Sequence, residues 1–261
     1  MSVAIHAVNR ASPAPGSTAL VIGAGTVGLL TAAMARQSGC STVTISDVDA
    51  GRVGYALKKG FATHGFVVPR RTDASSSSSS SNSSVSSGSS TPLECAGVVT
   101  PSSIFSTSIH GQLEGAKGLA ADILALTRAP ATLRRDEDED DGVDVTFECT
   151  GKEVCMHTSL YATRPGGKVI MVGMGTPIQT LPVSVAHLRE VDILGIFRYA
   201  NTYPTGIRLL CAQGYGGGLP SLDDMVTHRF KGLGAAKQAF ELASRTVDDD
   251  GNLVLKVVIE A

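Results

Sequence analysis

The stretch Ala19-Leu20-Val21-Ile22-Gly23-Ala24-Gly25-Thr26-Val27-Gly28 decides the fold. Four apolar residues suit a buried strand, and a glycine-rich turn comes directly after them. Gly23 allows a sharp turn where a side chain would clash. Gly25 lets backbone N–H groups approach a ligand, and Gly28 lets the next helix pack close on the strand. That helix reads from Thr26 to Ser38, with Val27, Leu30, Thr31 and Met34 at helical spacing. Gly39 closes it.

A bare GxGxxG pattern is a weak signal, but its context strengthens it here. Thr42-Val43-Thr44-Ile45-Ser46 reads as a second strand, and Asp47 stands at its end. The free N–H groups and positive dipole end of the helix suit a pyrophosphate. A carboxylate at Asp47 suits ribose hydroxyls and repels a 2′-phosphate, so NAD is expected over NADP. The bland alternative is a strand, turn and helix whose glycines serve packing alone.

The remaining chain extends the alternation. Residues 2–10 read as a short amphipathic helix. A helix over Ala50 to Lys59 and a strand around Gly65 to Val68 come after Asp47. Later come a helix near Leu113 to Leu126, a strand over Val143 to Glu148 and a helix over Lys152 to Tyr161. Gly166-Gly167 are expected to turn the chain into a strand over Lys168 to Val172. Val191 to Ile196 reads as the next strand and Tyr203 to Ala212 as a helix. Short connections suit parallel strands covered on both faces. The expected fold is a doubly wound α/β parallel sheet (Rossmann type) over residues 16–215, entered by a linking helix in residues 1–15. Residues 220–261 differ in character: strand (Met225 to Phe230), helix (Gly234 to Ser244) and strand (Leu253 to Ile259) are expected to form a different unit.

Two segments interrupt the pattern. The serine tract from Ser75 to Ser81 and its continuation cannot bury enough apolar surface to offset chain entropy, so residues 71–112 read as a disordered surface insertion. A phosphorylated regulatory tail and an unspliced coding segment are the alternatives. The acidic run Asp136 to Asp141 reads as a solvated loop, since calcium-ligand spacing and a glycine turn are missing there.

Composition bounds the rest. The chain has 261 residues, is 43% hydrophobic and carries a net charge of −2. That gives no reason to expect nucleic acid or an anionic membrane as a partner. No apolar run reaches spanning length, and no signal peptide is visible. Cys40, Cys95, Cys149, Cys155 and Cys211 are scattered without a CxxC pair, which suits reduced thiols in the cytoplasm and no cysteine zinc site.

A specific resemblance emerges from ordered blocks. After the glycine turn and Asp47 come Phe147-Glu148-Cys149-Thr150-Gly151, Tyr161-Ala162-Thr163-Arg164-Pro165-Gly166-Gly167 and Val172-Gly173-Met174-Gly175. Leu188-Arg189-Glu190-Val191-Asp192, then Gly195 to Pro204 and Val226-Thr227-His228-Arg229-Phe230 complete the set. Together they resemble the polyol branch of the medium-chain, zinc-dependent dehydrogenases, which holds sorbitol and xylitol dehydrogenases; fungal L-arabinitol dehydrogenases are nearest in pattern. The likeness covers nearly all the chain outside the serine tract.

The resemblance implies NAD as cofactor and a small sugar alcohol as substrate, oxidised to a ketose. Gly23, Gly25, Val27 and Gly28 would meet the pyrophosphate, Asp47 the adenosine ribose and Arg52 the adenine side. Val172, Gly173, Met174, Ile196 and Phe197 would line the nicotinamide side, and Arg198 and Tyr199 would reach substrate hydroxyls. Without the resemblance, Arg52 reads as a solvated helix residue, Arg198 as a partner of Glu190 or Asp192, and Tyr199 as an interface aromatic. His228 reads as a satisfied core or interface histidine, and His6 and His187 as structural. His157 has no clear partner set.

Family members carry a zinc-bearing front domain before the glycine turn, and they usually assemble as tetramers. Here the glycine turn comes early, so the zinc ligands and any catalytic residue are expected to be absent, although the family implies zinc. Residues 220–261 would then be a partial remnant of the second, GroES-like catalytic domain. Two functional expectations stand: an NAD-dependent polyol dehydrogenase homologue, and a truncated, inactive NAD-binding chain or interaction partner of intact paralogues.

Overall fold

The computed structural model describes residues 1–69, 108–127, 142–213 and 218–260. The serine tract and the acidic run lie outside the described residues.

Six strands form one parallel sheet: β1 Thr18–Ile22, β2 Thr42–Asp47, β3 His64–Val67, β4 Val143–Glu148, β5 Thr163–Met171 and β6 Asp192–Gly195. Their spatial order is β3-β2-β1-β4-β5-β6. The order reverses between β1 and β4, which makes the crevice at their carboxyl ends a natural ligand position. The central strands are apolar because helices cover both faces. Val21, Val43, Ile45 and Phe147 pack with helices α1 (Ser2–Ala11) and α2 (Thr26–Gln37) on one side. Leu20 and Ile22 pack with α4 on the other, where α4 (Ile109–Thr127) also lies against α5 (Glu153–Ala162). Helix α3 (Ala50–Lys58) follows β2 and buries Ala56 on the α1 and α2 side, while α6 (Val183–His187) and α7 (Tyr203–Gln213) precede and follow β6 in the chain.

Three boundaries differ from the sequence reading by three residues or more. Helix α4 begins at Ile109, so residues 108–112 are ordered rather than part of a disordered insertion; Ser108 Oγ accepts from the Gly111 N–H at 3.1 Å. The pair Gly166-Gly167 does not turn the chain into β5. The strand starts at Thr163, and its pairing with β4 jumps from Val143–Thr163 to Val145–Lys168. Gly166 takes φ +68°, a left-handed conformation that glycine adopts freely, while the buried Thr163 and Thr146 hydroxyls bond at 2.8 Å and hold the strand start. In the tail, the last strand starts at Lys256 rather than Leu253. Leu253 bridges Val247 and the Val254 N–H donates to the Thr246 carbonyl at 2.8 Å, so this stretch makes a hairpin instead.

The tail contains β7 (Val226–Lys231), α8 (Ala236–Ala243) and β8 (Lys256–Glu260). Strands β7 and β8 pair parallel in a sheet separate from the six-stranded one.

Asp144 joins three strands of the main sheet. Its carboxylate accepts from the Thr18 N–H at 2.7 Å, the Thr18 hydroxyl at 2.8 Å and the Arg164 Nε at 2.8 Å. Burial works to raise its pKa, but the Thr18 and Arg164 contacts outweigh burial and hold it below the usual carboxylate value. A carboxylate depressed in the folded state binds fewer protons than in the unfolded chain. Its contribution is therefore complete above the ordinary value of 3.8 and is lost as pH falls through the lower folded value. Urea unfolding at stepped pH should show D144N less stable than the parent near neutrality, with the difference shrinking on acidification below about pH 4.

Candidate functional site

The carboxyl ends of β1, β2 and β4 open onto a cavity of about 880 Å³. Gly23, Gly25, Asp47 and Arg52 line it, with Val68, Leu119 and Ile123 making an apolar wall. Gly23 takes φ +102° and donates its N–H to the Ser46 carbonyl at 2.7 Å, turning β1 sharply into α2. Gly28 cannot carry a side chain, because its Cβ would lie 1.8 Å from the Gly23 carbonyl oxygen. Gly25 is the opposite case. It caps α2 with φ −76°, and a Cβ there would meet only the Arg52 Nη1 at 4.0 Å. The space above Gly25 is therefore open to a ligand, at the positive end of α2.

Asp47 faces this turn. One carboxylate oxygen accepts from the Ala24 N–H at 2.7 Å and the other from the Asp49 N–H at 2.9 Å. These bonds fix the carboxylate at the cavity rim, and each oxygen keeps lone-pair capacity for hydroxyl donors. Asp49 caps α3 by accepting from the Arg52 N–H at 3.0 Å, which sets Arg52 at the start of that helix. The Arg52 guanidinium donates through Nη2 to the Val254 carbonyl at 3.1 Å, while its buried Nε has no hydrogen-bond partner among the described residues. Arg52 is thus a partly buried rim residue rather than a solvated helix residue.

A second group lies beyond β4. The N–H groups of Val172 and Gly173 both donate to the Glu148 carbonyl at 2.8 Å. The backbones after β4 and β5 touch here: a Cβ on Gly173 would lie 2.1 Å from the Gly151 nitrogen, and one on Gly175 1.5 Å from the Gly151 oxygen. Met174 projects outward at 90% exposure. Ile196 is half-buried after β6, and Phe197 beyond it is exposed with the Arg198 guanidinium 5.5 Å from its ring centre. Arg198 takes φ +51°. Tyr199 bonds the Tyr203 hydroxyl at 2.9 Å, with the rings edge-on at 5.4 Å.

The structure therefore brings Gly23, Gly25, Asp47 and Arg52 to one cavity, with Val27 and Gly28 on the helix behind. Val172, Gly173, Met174, Ile196, Phe197, Arg198 and Tyr199 gather at the ends of β5 and β6, outside the lining of that cavity. Sequence reasoning missed a role for Glu148. It is buried, and its carboxylate accepts from the Thr150 N–H at 2.7 Å and the Gly151 N–H at 2.9 Å. An acid closing an apolar strand was the available signal.

Cys149 and Cys155 line the cavity, and burial pushes both thiols above their ordinary range. They rest there as neutral thiols. His157 is buried and bonds the Thr180 carbonyl at 2.6 Å. His228 lies between Thr227 Oγ1 at 2.9 Å and the Asp248 carboxylate at 3.2 Å, so it has partners within the tail. Among the described residues, no three His, Cys, Asp or Glu side chains are grouped so as to hold a metal ion. Zinc does not fit the donors that the described residues offer. No helix among the described residues is long and apolar enough to cross a membrane.

The zinc-binding dehydrogenase family matches residues 26–212, and the chain belongs to that family. A mouse sorbitol dehydrogenase is 32% identical over 260 residues, covering 100% of this chain and 54% of the relative. The chain thus spans about half the length of the curated relatives it matches. A Sinorhizobium meliloti protein described as a zinc-binding dehydrogenase, solved with NADP, superposes at a TM-score of 0.64 with 21% identity, covering 99% of this chain and 57% of that one. An Escherichia coli alcohol dehydrogenase solved with NADH superposes at 0.60 with 15% identity, covering 98% and 56%. The structural likenesses show a shared fold.

Two glycine substitutions should separate packing from binding. Gly28→Ala should cost about 3 kcal/mol or more in unfolding free energy, since the added Cβ collides with the Gly23 backbone and forces helix and strand apart. Gly25→Val should keep the fold, seen by circular dichroism, yet weaken NADH binding about tenfold or more in a fluorescence titration.

Proposed function

We propose that this chain is an NAD-dependent polyol dehydrogenase homologue, oxidising a sugar alcohol to a ketose, and that the cavity is its dinucleotide site. The observation that carries the reading is Asp47, held by Ala24 at the rim of the cavity that Gly25 leaves open. The two cofactor-bound neighbours hold different dinucleotides, so fold alone does not choose between them. Asp47 favours NAD, because a carboxylate accepts ribose hydroxyl bonds and repels a 2′-phosphate. Gly23, Gly25, Val27 and the α2 N-terminus would carry the pyrophosphate, with Gly28 seating the helix. Arg52 would cover the adenosine side. Val172, Gly173, Met174, Ile196 and Phe197 would border the nicotinamide. Bound NAD supplies the hydride acceptor.

The sugar alcohol would meet Arg198 and Tyr199, whose guanidinium and phenol offer directional donors to hydroxyls. Similarity to the mouse sorbitol dehydrogenase supports a polyol of that kind, with L-arabinitol and xylitol as further candidates. We assign residues 1–15 as a linking helix, 16–215 as the nucleotide domain and 220–261 as part of a catalytic domain. The described cysteines are all free, in keeping with work in the cytoplasm.

A second reading has its own observation. Met174, Ile178 and Phe197 are exposed apolar side chains at the same sheet end. They favour a dinucleotide-binding chain that associates with its own kind or with longer relatives.

Asp47→Ala should lose about tenfold or more in NADH affinity while gaining relative affinity for NADPH; unchanged selectivity would sink the assignment. The full chain incubated with NAD and L-arabinitol, xylitol or sorbitol should form NADH under the first reading. Under that reading Arg198→Ala should raise KM for the polyol about tenfold with NAD binding intact. Tight NADH binding without turnover would favour the second.

A further inference from the structure

The C-terminal hairpin belongs to no part of the nucleotide sheet, yet it grips the cavity rim. Two consecutive tail carbonyls are held by two rim side chains. Thr26, the first residue of α2, donates its hydroxyl to the Leu255 carbonyl at 2.7 Å. Arg52 donates its Nη2 to the Val254 carbonyl at 3.1 Å. Leu253 reaches within 3.6 Å of the space beside Gly51, and Thr246 itself lines the cavity. Val254 is only 2% exposed, so the segment is seated rather than loosely laid on the surface.

What shapes this segment lies further from the cavity. The Asp248 carboxylate accepts from the Asn252 N–H at 2.6 Å, the Asn252 Nδ2 at 2.9 Å and the Asp250 N–H at 3.0 Å. The His228 Nε2 approaches the same carboxylate at 3.2 Å and ties it to β7. This turn folds Val247 onto Leu253 and lets the Val254 N–H reach the Thr246 carbonyl. Hence the Val254 carbonyl points at Arg52 because Asp248 closes the hairpin.

Arg52 has one donor committed to the tail. Its Nη1 stands 4.0 Å from the open space above Gly25, and its Nε is buried without a hydrogen-bond partner among the described residues. An arginine side chain has considerable rotamer freedom, and a fixed carbonyl removes much of it. We infer that the hairpin Thr246–Leu255, closed by Asp248, is a positioning element for the dinucleotide site, holding the Arg52 guanidinium beside the glycine turn so that tail docking and dinucleotide binding reinforce each other. This rests on the reading of the cavity as a dinucleotide site. Asp248 and Val254 act through Arg52 and do not themselves touch the ligand.

A double-mutant cycle on the full chain tests it, with NADH affinity as the readout. Asp248→Ala should weaken NADH binding about fivefold to tenfold, and Asn252→Ala should weaken it less, in the same direction. The pair Asp248→Ala with Arg52→Ala should bind no more weakly than Arg52→Ala alone. Asp250→Ala, whose side chain takes no part in the turn's bonds, should match the parent. By reciprocity, NADH should slow hydrogen exchange at the Val254 amide. Additive losses in the cycle, or unchanged affinity in both hairpin variants with the parent binding NADH, overturn the inference and leave the cavity assignment standing. A parent chain that binds no NADH overturns both. If Asp248→Ala fails to fold, Asn252→Ala with and without Arg52→Ala decides by the same criterion.

Discussion

The approach of Gly28 to the Gly23 carbonyl is the constraint on which the site depends. With no room for a Cβ at 1.8 Å, helix α2 can begin directly over the end of β1. That proximity points the free N–H groups of α2 at the crevice where strand order reverses. It also brings the turn within reach of β2, so that Asp47 can bond Ala24 and stand at the rim. A bulkier residue at position 28 would push the helix away and dissolve the cavity's geometry together with its packing.

The same principle recurs at β4 and β5. Gly151, Gly173 and Gly175 allow two backbones to touch where side chains could not fit. Glu148 stiffens the junction by accepting N–H bonds from Thr150 and Gly151 while buried. A buried carboxylate is costly unless its oxygens are satisfied, and this loop satisfies them. The outcome is a rigid edge from which the Met174 side chain, and beyond β6 the Phe197, Arg198 and Tyr199 side chains, project outward.

Much of this was legible in the chain itself. The spacing of Gly23, Gly25 and Gly28 with Asp47 marks the first crevice: Gly23 and Gly28 answer local steric demands, while Gly25 leaves the space above it open. The alternation of apolar strands and helices foretold the parallel sheet. The error at Gly166-Gly167 has a local cause: a glycine pair between helix and strand looks like a turn, and only the Thr163–Thr146 bond reveals a bulge inside a longer strand. The late start of β8 has a distant one. Leu253 to Leu255 have strand-like residues, but Thr246, Thr26 and Arg52 claim their backbone groups.

Sequence by itself determined the elements and the groups at their ends: a glycine turn with open space above Gly25, an acid at the second strand, an arginine and a tyrosine after the sixth. Those features depend on neighbours a few residues apart, where sterics and hydrogen-bond reach are encoded directly. Tertiary structure alone decided which of them share a cavity. Asp47 and Arg52 join Gly25, whereas Arg198 and Tyr199 sit at the far side of β4, because strand order rather than chain order sets distance. It alone joined residues 246–255 to a rim more than 200 positions earlier, since the carbonyls of Val254 and Leu255 find their donors only after both units have folded.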